Sequence, residues 1–381
     1  MKIAILASEF YPIYGGVGTY TQQLVRELSK NHEVHVFTVE RVPKKEVLKH
    51  FKNIQLHYLC KANDYFVYNF KFQLALLFQF KKFDKKHNFD IIHSMNLVNM
   101  PDIFLKFFIK KEIIVTAHTS ITGQVKGFLQ SNKNFFKMAP SEKGSLLVFP
   151  YIWLMERLYL FKTKHMITVS NKFAKYFRSK GYKKDLVAIH NGVDLSVFDY
   201  NHVKVHEISK KRGIKIMFLG RLITQKGINI FSQLMQELKD EDIHFIIVGK
   251  GETKDLFRNI PKDKYTYFGF VNNWNAPAIY KAADIFVQPS YYENFSLVLL
   301  EAMSMKCACV TTDVGATDEM ISKKYLFKAG DAKGIINRVK ELMKDKKLRL
   351  ELANEGYKNV INNFTVEKMV AKTEDYYRRA L

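Results

Sequence analysis

At 381 residues the chain is long enough for two hydrophobic cores and too long for a single small module. Apolar residues make up 47% and charged residues 25%, with 18 Gly and 8 Pro, a balance that excludes collagen-like, low-complexity and mainly disordered classes. Sixty Lys and Arg against 37 Asp and Glu leave a net charge of +23, which predicts an anionic partner: a nucleotide, a phospholipid surface or a nucleic acid.

The first element is the strand KIAILA, followed by YPIYGGVGTY and the helix-like TYTQQLVRELSKN. Runs too dense in apolar and β-branched residues to have a wet face recur at HEVHVFTV, FDIIHS, EIIVTAH and HMITVS, as buried parallel strands do. After His190 the pattern restarts with KIMFLG, IHFIIVG, TYFGF, ADIFVQPS and CACVTTD, again alternating with helical stretches. Two doubly wound open sheets follow. The expected organisation is a first domain over 1–195, a linker over 196–213, a second domain over 214–360 and a final helix over 361–381 packing back toward the first. No repeat of 20 to 50 residues is present in the sequence.

Cys60, Cys307 and Cys309 make neither a disulfide framework nor a four-ligand zinc site, and point to a reducing cytoplasm. The apolar run Ile3 to Ala7 is shorter than the roughly 7 to 15 residues of a signal-peptide core. The longest uncharged stretch, GSLLVFPYIWLM, falls short of the about 20 residues a membrane span needs. Neither export nor a span is expected.

Open parallel sheets bind ligands at the carboxyl ends of their strands. After KIAILA, Gly15, Gly16 and Gly18 precede a helix, where a backbone can approach a phosphate favoured by the helix dipole; the alternative is a turn that needs positive φ. His118 ends EIIVTAH and His93 ends FDIIH, each either a substrate contact or a satisfied structural imidazole. In KIMFLGRLITQKG, Gly220 and Arg221 close a strand and Lys226 precedes a glycine and a helix; Arg and Lys together suit a diphosphate. In ADIFVQPSYYENFSLVLLEAMS, Glu293 and Glu301 lie eight residues apart, about 12 Å along a helix and on a similar face. Asn294, Phe295, Ser296 and Leu297 open that helix and offer N–H groups to a phosphate. Glu301, set in LVLLEAM, requires a partner, because an unpaired buried charge is costly. No His or Cys cluster has metal-ligand spacing along the chain, and the triplet Asp240, Glu241, Asp242 lies at the wrong edge of a strand for a ligand site.

In order, the GGVG loop, FDIIH, VTAH, MITVSN, HNGVD, FLGRLITQKG, IIVGKGE, FGFV, AADIFVQPS and the Glu293 to Glu301 pair followed by EAMS resemble the retaining glycosyltransferases of family 4. That resemblance spans nearly the whole chain. It implies an α/β GT-B fold, two Rossmann-like parallel-sheet domains facing across a cleft. It also implies metal-independent transfer of a sugar, with retention, from a nucleotide-diphosphate sugar to a hydroxyl acceptor such as a glycan, a lipid-linked saccharide or a lipopolysaccharide. By the same resemblance, Gly15 and Gly16 lie at the donor, with Gly16 on its β-phosphate; Arg221 and Lys226 grip the diphosphate, Glu301 the ribose, and Glu293 and His118 the transferred sugar. Asn191 and Gly192 lie in the cleft loop, and Gly249, Gly251 and Phe270 near the base. No cofactor beyond the UDP- or GDP-sugar substrate is implied. Where the family often has glycine in the acidic loop this chain has Asn294 and Ser296, and Lys306, Ala308 and Ala316 also depart from its pattern.

A GT-B epimerase or phosphorylase would use the same cleft. A nucleic-acid binder would leave the glutamate pair unexplained and lacks a recognition signature. Charge concentrates in the first half, with 28 Lys and Arg against 12 Asp and Glu through Lys180. There YFVYNFKFQLALLFQFKKFDKKHNF and KGFLQSNKNFFK mix aromatic and basic residues, as peripheral segments on an anionic cytoplasmic membrane face do; a core helix with a solvated basic face is the alternative.

Overall fold

The computed structural model describes the chain except residues 14, 63–67, 96–101, 106, 132–143, 145, 147, 148, 252 and 254. Part of each aromatic and basic segment, 65–67 and 132–137, thus lies outside the described residues. The chain forms two compact units, one of Met1–Thr122, Val148–Asn191 and Val366–Leu381, the other of Gly123–Leu147 and Gly192–Thr365.

Unit 1 holds seven parallel strands: β1 (Lys2–Leu6), β2 (Glu33–Glu40), β3 (Ile54–Lys61), β4 (Ile91–Ser94), β5 (Ile113–Ala117), β6 (His165–Thr168) and β7 (Asp185–Ala188). They lie in the order β3-β2-β1-β4-β5-β6-β7. Unit 2 holds six: β8 (Ile214–Leu219), β9 (Ile243–Val248), β10 (Tyr265–Gly269), β11 (Ile285–Gln288), β12 (Ala308–Thr312) and β13 (Leu326–Phe327), ordered β10-β9-β8-β11-β12-β13. Each sheet therefore reverses strand order once, at β1/β4 and at β8/β11, and loops diverging at such a reversal leave a crevice. The central strands are the dense apolar runs of the sequence because both their faces are covered: all six residues of β9 and all four of β11 are buried.

Residues 196–213 differ from expectation. They belong to unit 2 rather than bridging as a linker, because Phe198 and Ile208 have a surface on which to be buried. Phe198 packs on Tyr280 at 6.0 Å between ring centroids, and Lys281 Nζ donates to the carbonyls of Tyr200 and Val203 at 2.6 and 2.8 Å.

The helix Lys346–Asn363 runs past residue 360, and a separate helix, Val366–Ala380, belongs to unit 1. Its Val366, Met369, Val370, Tyr376 and Tyr377 join Ile3, Ile5, Tyr20 and Leu24 in one core cluster. His93, at the end of β4, is fully buried there, with Nδ1 2.6 Å from Tyr377 Oη and Nε2 2.7 Å from Thr116 Oγ1. It is a satisfied structural imidazole. Among the described residues, no helix is long and apolar enough to cross a membrane.

Candidate active site

The clearest polar cluster grows from the β8/β11 reversal in unit 2. Gly227, at φ +77°, follows Lys226, and a Cβ there would lie 2.0 Å from the Pro289 carbonyl oxygen. Only glycine lets the two loops meet so closely. The approach sets Lys226 Nζ 2.6 Å from Glu293 Oε1. Gln288 Nε2 and Ser290 Oγ donate to the same oxygen at 3.1 and 3.0 Å. On the other side, Gly315 at φ +57° passes so near that a Cβ would lie 2.3 Å from the Glu293 carbonyl oxygen. The carboxylate is held in place before any ligand arrives.

Gln288 Nε2 also donates to Ser296 Oγ at 2.7 Å. Ser296 caps the helix Leu297–Ser304 by accepting from Leu299 N at 3.3 Å. One first-turn N–H of that helix is therefore occupied by the chain itself, and Asn294 and Phe295 precede the cap. Gln288 and Ser290 are not among the residues expected from the sequence; their signal is a polar residue closing an otherwise apolar strand, directly before the acidic loop.

Glu301 has a partner of its own. It is 4% exposed, its Oε2 accepts from Tyr280 Oη at 3.0 Å, and burial pushes its carboxyl up to about 7 despite that hydrogen bond. Tyr280 is the partner that a buried carboxylate requires. Arg221 is exposed. Gly249 and Gly251, at φ +139° and +151°, are glycines because Gly220 O and Leu222 O would lie 1.8 and 2.3 Å from an added Cβ. They thus serve contact between the β8 and β9 loops, which accounts for both without a ligand. Phe270 is exposed, with Lys250 Nζ 5.5 Å from its ring centre.

In unit 1, Gly15 precedes the helix Gly16–Leu28 with φ −84°, so it is not a turn glycine of positive φ. Gly18 is glycine for packing, since a Cβ would lie 2.5 Å from Ile13 O, whereas one on Gly16 would meet nothing within 4 Å. No packing contact explains Gly16. His118 follows β5, edge-on to Tyr20 at 4.5 Å, and burial lowers its imidazole to about 3. It is neutral at pH 7. Asn191 is buried. In unit 2, Gly192 precedes Val193, whose N–H donates to Phe364 O at 2.9 Å.

No cluster has metal-ligand spacing along the chain, but the fold brings one group of donors together. Among the described residues, Glu33, His35 and His87 place donor atoms within 4.8 Å of one another. They come from β2 and a distant helix end, so no local spacing reveals them.

Residues 14–197 match the family described as Glycosyltransferase Family 4, and residues 201–359 match Glycosyl transferases group 1. An uncharacterised glycosyltransferase of Methanocaldococcus jannaschii is 25% identical, with 100% of this chain and 99% of that protein covered. N-acetyl-alpha-D-glucosaminyl L-malate synthase of Bacillus anthracis is 26% identical over 99% of this chain and 96% of its own. Among solved structures, sucrose-phosphate synthase from Thermosynechococcus elongatus superposes with a TM-score of 0.77 at 20% identity, covering 100% and 98% of the two chains. HepE of Anabaena in complex with UDP-glucose does so at 0.75 and 15%, covering 100% of both. Two parallel α/β units of this order, carrying these two domains one after the other, make the chain a GT-B glycosyltransferase of family 4.

Proposed function

We propose that the protein moves a sugar from a nucleotide-diphosphate sugar to a hydroxyl acceptor, with retention and without a metal ion. The observation that carries this reading is the Lys226 to Glu293 pair at the β8/β11 reversal. A cation beside a fixed carboxylate suits a substrate with a diphosphate next to sugar hydroxyls. In this mechanism Arg221, Lys226 and the amino end of the helix Leu297–Ser304 stabilise charge on the departing diphosphate, an electrostatic contribution that usually dominates catalysis. The bond from the anomeric carbon to the phosphate oxygen breaks, the acceptor oxygen bonds to that carbon on the same face, and the phosphate oxygen takes the acceptor's proton. Glu293 orients the sugar hydroxyls, and neutral His118 exchanges a hydrogen bond with the sugar. Gly16 meets the β-phosphate with Gly15 beside it. Glu301, with Oε2 on Tyr280, keeps Oε1 for a ribose hydroxyl; Asn191, Gly192 and Phe270 line the donor's path.

Support for a nucleotide donor comes from the relatives' own ligands: HepE was solved with UDP-glucose and with UDP, and starch synthase IV of Arabidopsis thaliana with ADP and acarbose. A thermal-shift panel of UDP, GDP, ADP and their sugars tests the reading. One family should stabilise the protein by about 2.7 kcal/mol at a hundred times its dissociation constant, and turnover should survive EDTA. A flat panel, or turnover abolished by chelation, rules it out.

We also place the protein in the cytoplasm, peripheral to an anionic membrane. What supports this is the helix Tyr68–His87, whose Phe70, Leu74 and Phe78 are exposed at four-residue spacing beside exposed Lys81 and Lys85, while Phe72, Leu76 and Phe80 are buried. Residues four apart share a helix face, so the outward face is itself amphipathic. Sedimentation with liposomes should rise with anionic lipid and fall in Phe78→Glu; equal binding to neutral liposomes would contradict it.

A further inference from the structure

We propose that Glu33, His35 and His87 form a divalent transition-metal site, zinc by its chemistry, that ties the end of the helix Tyr68–His87 to strand β2. Their donor atoms lie within 4.8 Å of one another. Glu33 Oε1 and His35 Nε2 are 2.9 Å apart, and tetrahedral zinc with bonds of about 2.0 to 2.1 Å holds neighbouring donors roughly 3.3 Å apart. Two of the three ligands are therefore nearly set, and a small turn of His87, at the helix end, brings in the third. A water fills the fourth position.

The surroundings fit this assignment. His35 is fully buried, with its Nδ1 3.1 Å from His57 Nε2. With an ion on Nε2, Nδ1–H donates to His57, the outer hydrogen bond that fixes a metal-binding imidazole. His87 packs edge-on to His35 at 4.5 Å, and His57 is stacked on Phe37 at 4.6 Å. Lys2 Nζ lies 3.7 Å from Glu33 Oε2 and Gln55 Nε2 3.3 Å from Oε1. An ion displaces the weak Gln55 contact and leaves Oε2 to Lys2.

Glu33 opens β2, so the site lies at the amino edge of the sheet, opposite the strand ends where a donor binds. Its role is structural. A bound ion fastens the end of the helix whose other face carries Phe70, Leu74 and Phe78.

Calorimetric titration of EDTA-stripped, untagged full-length protein with zinc chloride at neutral pH provides the test. One ion per chain is expected, with a rise in melting temperature and slower hydrogen exchange at the end of the helix Tyr68–His87. His87→Gln, at a partly exposed position, should weaken binding by about a hundredfold or more, and His57→Phe by about 10- to 100-fold. His202→Gln, at an exposed histidine of unit 2, should change nothing. Absence of saturable heat overturns the proposal, as does binding of several ions with an affinity that His87→Gln leaves unaltered. Cobalt(II) gives an independent readout: a tetrahedral visible spectrum in the wild type that is lost in His87→Gln supports the site, and the same spectrum in both overturns it.

Discussion

Lys226→Ala is expected to lower kcat about 10²- to 10³-fold, roughly 2.7 to 4 kcal/mol of transition-state stabilisation, as loss of one preorganised donor does. The cause is geometric. Lys226 is partly buried, its Nζ 2.6 Å from an oxygen that Gln288 and Ser290 also hold, so its charge is fixed before the diphosphate begins to leave. Arg221 is exposed, keeps more of its hydration, and should affect donor KM more than kcat when replaced by Ala. Glu293→Gln keeps the shape of the loop and removes the carboxylate charge. Because Lys226 and Glu293 touch, the double variant should fall well short of the product of the single losses. Steady-state kinetics on the four proteins checks this, and a loss below fivefold in Lys226→Ala, or strict additivity, would remove the pair from the mechanism.

Acid should open unit 1 well before unit 2. His93 and His118 are both held down to about 3 by burial, against about 6.5 in an unfolded chain. Between those values the unfolded chain binds protons that the folded unit refuses, two at these sites and more at His35 and His57, which burial also lowers, so stability rises with pH across the window and is lost as pH falls through it. Each histidine contributes a slope of about 1.4 kcal/mol per pH unit, together about 2.7. A loss that reaches about 9 kcal/mol across that window is comparable with a typical stability of about 5 to 15 kcal/mol, so unit 1 should open within it. Trp153 and Trp274 are the two tryptophans of the chain, in units 1 and 2 respectively. In Trp274→Phe, kept in EDTA so that released metal plays no part, the fluorescence of Trp153 follows unit 1 alone. His93→Gln, which keeps a polar partner for Tyr377 or Thr116 but takes no proton, should lower the slope by about 1.4 kcal/mol per pH unit. An unchanged slope would refute the assignment.

The central strands were legible because they are buried on both faces and read as unbroken apolar runs. The edge strands β3, β7 and β13 were not: β3 buries only Leu56 and Leu59, three positions apart, β7 has no fully buried residue, and β13 is two residues long. Lys226 was visible as a charge before a glycine and a helix, Glu293 as a charge between a strand end and a helix start. Their contact was not, since it depends on β8 lying beside β11 although they are distant in sequence. Glu301 was legible as a buried charge in need of a partner, but Tyr280 was not, because it reaches the carboxyl from another helix. The same holds for His35 and His87. Adjacency between strands and helices creates these pairs, and no periodicity along the chain encodes them.

The return of the helix Val366–Ala380 to the first core has a consequence for biosynthesis. A ribosome makes β1 long before Tyr377, yet both belong to one cluster. The first unit must therefore wait, with part of its apolar interior uncovered, until residues 366–380 have been made, while residues 192–365 are already complete. A nascent chain stalled before residue 366 should already resist protease over its later portion and remain sensitive over its earlier one.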